Sequence, residues 1–172
     1  MSQGNLVFNG DFKNNADGWI ITNCLFGGFQ PTKGNPAGSV ALDNLSPSSS
    51  TDPTMSQTIN GLTPGIIYVI SGDFSAITDR GGVSSGFSFG VAIDGIFLFE
   101  AAAQLPGSLQ QFNFVYTATS VNALLSLSAQ RNGTGVTYEV DNIAMYAIPE
   151  PSILSLLFLG GGFLIYARRL RD

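Results

Sequence analysis

The chain carries twelve Asp and Glu side chains and no histidine, which narrows its chemistry before any fold is considered. Histidine is the commonest general base and the commonest metal ligand near neutral pH. Without it no Ser–His–Asp triad can form, and Cys24, the single cysteine, has no imidazole to deprotonate it. A lone thiol also makes no intramolecular disulfide. Two carboxylates are enough for glycoside hydrolysis. Glu139 and Asp141 stand two positions apart, which on a strand puts both on one face, about 7 Å from each other. The plainer reading of that spacing, and the one expected here, is a solvated edge pair or a structural site. Gly81-Gly82 lacks the following Lys-Ser/Thr of a phosphate loop. The expectation is a chain that is not an enzyme.

Sugar binding asks for different residues: exposed rings that lie against the apolar face of a pyranose, and amides or carboxylates that take its hydroxyls. Phe26 and Phe29, in a Gly-rich segment, are the aromatic candidates. Asp73, Gln111 and Asn113 are the polar ones, placed to line a sheet face. Their plainer reading is as solvated outward positions of strands whose other face is Phe and Tyr. Trp19, entering a strand after Gly18, reads as core.

The elements that would hold these residues are strands. Tyr68, Ile70 and Phe74 alternate with Ser71, Asp73 and Ser75, and Phe112, Phe114 and Tyr116 alternate with Gln111, Asn113 and Val115. Such period-two patterns belong to half-buried strands. Leu6-Val7-Phe8 reads as a first strand, followed by Trp19-Ile20-Ile21, Ser39 to Leu42 and Thr54 to Ile59. Asn23 to Asn35 reads as a long loop or irregular strand. Asp94-Gly95 accepts the positive φ angles of a type I′ hairpin turn, joining Phe87–Ile93 to Ile96–Glu100. Asn122 to Gln130 and Tyr138 to Ala147 close the series. Eight or so strands with Gly, Asn and Pro turns predict an all-β antiparallel sandwich or jelly roll. Before Pro149 the bases are Lys13, Lys33, Arg80 and Arg131. An acidic domain with so few cations repels nucleic-acid phosphates and anionic lipid.

The C-terminus differs in kind. Pro149-Glu150-Pro151 breaks regular structure, and Ser152 to Ala167 follows without a charge. Arg168, Arg169 and Arg171 then stop the run, as basic residues do on the cytoplasmic side of a membrane. About 16 residues span about 24 Å as a helix, short against a hydrocarbon core of about 30 Å. Gly160-Gly161-Gly162 weakens it further. The expectation is a transient membrane anchor at 149–172, behind a β-sandwich ectodomain at 1–148.

Proline-glutamate-proline, apolar helix and basic end, in that order, resemble the PEP-CTERM sorting signal. The resemblance covers residues 149–172. It implies processing at Pro149, Glu150 and Pro151 by an exosortase-type membrane protease. The product would reach the cell surface or extracellular matrix, beside exopolysaccharide or biofilm. The N-terminus carries no basic-then-apolar leader, so this reading expects a signal peptide removed ahead of Met1.

A second resemblance spans roughly residues 5–147. Asn5-Leu6-Val7-Phe8-Asn9-Gly10-Asp11-Phe12, Gly18-Trp19, Leu62-Thr63-Pro64-Gly65 and Tyr138-Glu139-Val140-Asp141-Asn142-Ile143 occur in the order seen in galactose-binding-like jelly rolls, which include many carbohydrate-binding modules. That resemblance implies a structural calcium at Asp141, with Asp11 and main-chain carbonyls as further donors. Lys13 stands where the related motif has Glu, and its ammonium could neutralise Asp141 instead. No other cofactor is expected. The leading expectation is therefore a non-catalytic surface or matrix protein associated with extracellular polysaccharide. The alternative is a carbohydrate-binding module with a defined glycan, and a glycoside hydrolase using Glu139 and Asp141 is a third reading.

Overall fold

The computed structural model describes residues 4–24, 27–43, 52–77, 88–102, 107, 109–130 and 137–148. Among these there are ten strands and no helix. They are β1 (Ile20–Thr22), β2 (Gly28–Gln30), β3 (Ser39–Asp43), β4 (Thr54–Asn60), β5 (Ile67–Ile77), β6 (Ser88–Ile93), β7 (Ile96–Ala102), β8 (Gln110–Thr117), β9 (Asn122–Gln130) and β10 (Thr137–Ala147). One sheet runs β1-β4-β9-β6-β7 and the other β2-β3-β10-β5-β8, every pairing antiparallel. This is the two-sheet sandwich expected from the alternation.

The alternation forms strands because one face of each is apolar and can be removed from water against the facing sheet. Tyr68, Ile70, Phe74 and Ala76 of β5 point inward and are buried. Leu125, Leu127 and Ala129 of β9 do the same from the other sheet. Phe74 and Phe89 meet across the sandwich with ring centroids 4.5 Å apart and planes at 13°. Phe112 and Tyr138 pack on the same pair. Each such ring, fully buried, contributes about 1.5–3 kcal/mol. Asp94 (φ 49°) and Gly95 (φ 80°) both lie in the left-handed region, so the β6–β7 hairpin has the φ signature of a type I′ turn. Trp19 is buried against Phe12, centroids 5.7 Å apart.

Two expectations need correction. Leu6-Val7-Phe8 is not a strand. Asn5 Oδ1 accepts the Val7 N–H at 3.0 Å and the Met145 N–H at 2.9 Å, so a side chain takes the place of ladder partners. The segment still follows β10, with Leu6 N–H donating to Met145 O and Ile143 N–H to Gly10 O. Phe29, offered as an exposed ring in a stretch read as loop or irregular strand, lies in β2 opposite Val40 and is half-buried against the core. Phe26, Pro149, Glu150, Pro151, Arg168, Arg169 and Arg171 lie outside the described residues.

Gln57 holds the N-terminal segment to the sandwich. Its β4 neighbours Met55 and Ile59 face inward, and so does Gln57, at 6% exposure. Its Oε1 accepts the Phe8 N–H at 2.8 Å, while Nε2 donates to Phe8 O at 2.9 Å and Gly18 O at 3.2 Å. Leucine at this position would leave those backbone groups without partners. Gln57→Leu is expected to lower unfolding free energy by about 2–3 kcal/mol in urea titration; a loss under about 0.5 kcal/mol, within the range of ordinary surface substitutions, would contradict this role.

Candidate functional site

The outward face of the β2-β3-β10-β5-β8 sheet gathers most of the polar candidates. On β10, Tyr138 and Val140 point into the core, leaving Glu139 and Asp141 outside. The register then slips between Asp141 and Ala144. Asn142 takes a positive φ of 54°, which Asn tolerates better than most residues. A bulge of this kind turns two consecutive residues toward one face, so Asp141 and Asn142 both reach the outer surface. Across the strands, Asp141 pairs with Asp73 and Asp73 with Gln111; Ala144 pairs with Ser71 and Ser71 with Asn113. One row further, Tyr146 pairs with Val69 and Val69 with Val115.

These rows are tied by hydrogen bonds. Gln111 Nε2 donates to Asp73 Oδ1 at 3.0 Å. Asn142 Nδ2 donates to Asp73 Oδ2 at 2.8 Å and to Asn35 O at 2.9 Å. Asp141 Oδ2 accepts the Asn35 N–H at 2.9 Å, and Oδ1 the Asn142 N–H at 2.7 Å. The segment from Pro31 to Gly38 is thereby seated on the sheet. Gly34, at φ 88°, makes that seating possible: a Cβ there would come within 2.7 Å of Asp141 Oδ2 and collide with the Gly38 carbonyl. Glu139 Oε1 accepts the Ser39 hydroxyl at 2.6 Å.

Two cavities open on this face and meet at Asp73. One, of about 320 Å³, is lined by Ser71, Asp73, Gln111, Phe112, Asn113 and Asn142. The other, of about 200 Å³, is lined by Asn35, Asp73, Ser75, Leu109, Glu139 and Asp141, with Gly34 at its edge. Together they make a shallow trough across β10, β5 and β8. Its chemistry is that of amide, hydroxyl and carboxylate groups. Burial above all, then the neighbouring Asp73 and Glu139 carboxylates, raises the Asp141 pKa, against the pull of the Asn35 and Asn142 N–H groups.

The structure therefore brings together Asp73, Gln111, Asn113, Glu139 and Asp141. Gln111 and Asn113 are exposed, while Asp73 and Asp141 are largely buried. Glu139 and Asp141 share a face, as their spacing predicts, but both carboxylates already serve as hydrogen-bond acceptors within the fold. Phe29 faces the core and is not part of the trough. Asp11 is exposed and lines the cavity beside the N-terminal segment, whereas Asp141 lines the one beside Asn35. Among the described residues no group of three or more Asp, Glu and Cys side chains is placed to hold a metal ion. Cys24 is half-buried, its thiol donating to Ala41 O and accepting the Asp43 N–H, and burial raises its pKa. Asn142 and Tyr146 were missed in the sequence. The Asp-Asn pair inside an otherwise alternating strand was the available sign of a bulge.

No protein-family model matches the chain, and no curated protein does. Solved structures do match. A putative sugar-binding protein from Bacteroides thetaiotaomicron aligns with a TM-score of 0.61 at 13% identity, over 84% of this chain and 100% of that one. The CBM22-1 xylan-binding domain of Paenibacillus barcinonensis Xyn10C gives 0.54 at 12% identity, over 82% and 93%. The enzymatically active domain of tailspike protein 4 from bacteriophage CBA120 gives 0.58 at 13%, over 84% of this chain. The chain spans 21% of that tailspike structure's length. At these identities the likeness is one of fold. The shared fold is an antiparallel sandwich of two β-sheets.

Asp141 carries a pH signature. Its folded pKa lies above the ordinary aspartate value, so its contribution to stability is complete below that ordinary value and is lost as pH rises through the folded one. Stability measured from pH 3 upward should therefore fall relative to the Asp141→Asn variant as the carboxylate ionises. A wild-type curve that instead gains on the variant over this window would contradict the assigned burial.

Proposed function

We propose that the chain is a non-catalytic carbohydrate-binding module whose outer β10-β5-β8 face takes a neutral glycan. The observation that carries this reading is the trough joined at Asp73, in which the amides of Gln111 and Asn113 and the hydroxyls of Ser71 and Ser75 stand beside one another. Asn113 makes no side-chain hydrogen bond among the described residues, so its amide is available to a sugar hydroxyl. Asp73, Glu139 and Asp141 give the trough a negative lining, which disfavours uronate or sulfated polysaccharides. Sugar-binding structures with the same sandwich support the same conclusion.

The second half of the proposal concerns address and rests on the sequence. Pro149-Glu150-Pro151, the apolar run and Arg168, Arg169 and Arg171 resemble a PEP-CTERM signal. The module would thus be exported, held by its tail, processed by an exosortase-type protease and left among surface polysaccharide. A binding domain retained beside the polymer it recognises makes one consistent object of the two halves.

Two outcomes are expected. On an array of neutral plant and bacterial oligosaccharides the full chain binds a defined subset, and Asn113→Ala weakens that binding about tenfold, the worth of one well-placed hydrogen bond to sugar, with its thermal midpoint held. Binding confined to polyuronates, or equal binding by the variant, would refute the face assignment. In cells with an exosortase-type protease, mass spectrometry should find the chain shortened near Pro149; an unshortened chain would refute the address.

A further inference from the structure

A third cavity adjoins the trough. It measures about 460 Å³ and is lined by Asn5, Asn9, Asp11, Asn142, Ala144 and Tyr146, with further N-terminal backbone. Asn142 lines both this cavity and the β5–β8 part of the trough. Both spaces therefore border the bulge, and the one lined by Tyr146 lies between β10 and the N-terminal segment running beside it.

Most polar groups of this cavity are committed to the fold. Asn5 donates to Ile143 O and accepts the Val7 and Met145 N–H groups. Asn9 Nδ2 donates to Asn15 and to Asp17 O. Two groups carry no side-chain hydrogen bond among the described residues: the carboxylate of exposed Asp11 and the phenol of Tyr146, a residue 44% exposed. A half-exposed tyrosine on a polar strand face, beside a carboxylate with unused acceptors, is the combination that a pyranose needs. The ring takes its C–H face and the oxygens take its hydroxyls. Tyr146 and Glu139 stand at opposite ends of the outer rows, opposite Val69 and Ser75 of β5. Six residues of strand separate those rows, about 20 Å, the length of several sugar units and more than a disaccharide.

We infer that the Tyr146 cavity is a subsite contiguous with the trough, so that the ligand is an extended glycan chain with one unit stacked on Tyr146 and hydrogen-bonded to Asp11. The inference rests on the carbohydrate-binding reading and adds to it the length of the ligand and the residue that senses it. A module built this way holds the interior of a polymer in preference to a single terminal sugar.

The test is calorimetric titration of the full chain with β-1,4-linked xylo-, galacto- and gluco-oligosaccharides of three to six units. The wild type should gain at least about tenfold in affinity between three and six units. Tyr146→Ala should abolish that gain, so that the ladder becomes flat, and Tyr146→Phe should keep it, because stacking needs the ring and not the hydroxyl. Asp11→Asn should reduce the gain in part. A wild type that binds three and six units equally, or a Tyr146→Ala ladder as steep as the wild type's, overturns the subsite and leaves the trough standing. A wild type that binds no member of any series overturns the carbohydrate reading, and the subsite with it.

Discussion

The side-chain amide of Asn142, on β10, ties the neighbouring strand β5 to the loop at Asn35. It donates to Asp73 on β5 and to the Asn35 carbonyl, while Asp141 beside it takes the backbone N–H of Asn35. This is possible because β10 bulges, turning both residues outward in succession. Without the bulge, strand alternation would aim Asn142 into the apolar core, where an amide costs about 1–3 kcal/mol if unpaired. The same geometry places Asn142 at the junction of two cavities. The shape of the face and the anchoring of the 31–38 segment thus follow from one irregularity in one strand.

The core continues through this irregularity, because Ile143 and Met145 still point inward and are buried. Phe74, Phe89, Phe112 and Tyr138 join the two sheets through ring contacts, and the bulge follows this region along β10. Gln57 performs a comparable task on the opposite sheet, where one buried amide ties down an N-terminal segment that forms no strand of its own. In both places a polar side chain replaces ladder hydrogen bonds. The sandwich can therefore carry irregular backbone at its margins while its interior stays apolar.

The strands were legible wherever one face is buried and the other is wet, since hydrophobicity then alternates. β9 was bounded to the residue, and the Asp94-Gly95 turn was recognisable because few dipeptides accept two positive φ angles. Asp73, Gln111 and Asn113 were found as a polar face for the same reason. Phe29 reads as exposed because three residues in a Gly-rich stretch carry too little periodicity to show which face is buried. Leu6-Val7-Phe8 was misread because local composition says nothing of Asn5 reaching Met145, 140 positions away. The contact between Asn35 and Asp141, 106 positions apart, is equally invisible in a linear reading. Tyr146 reads as one more strand residue, because nothing local in the sequence places the N-terminal segment beside it.

The face is polar, contoured and carboxylate-lined, on a fold shared with sugar-binding domains, and the decisive question is where a glycan touches the protein. Backbone amide NMR during titration with a bound oligosaccharide reads this directly. The largest shifts are expected at Ser71, Asp73, Gln111, Asn113 and Asn142, with β4, β9 and β6 of the opposite sheet undisturbed. Shifts concentrated on that opposite sheet, with the β10-β5-β8 face unmoved, would contradict it.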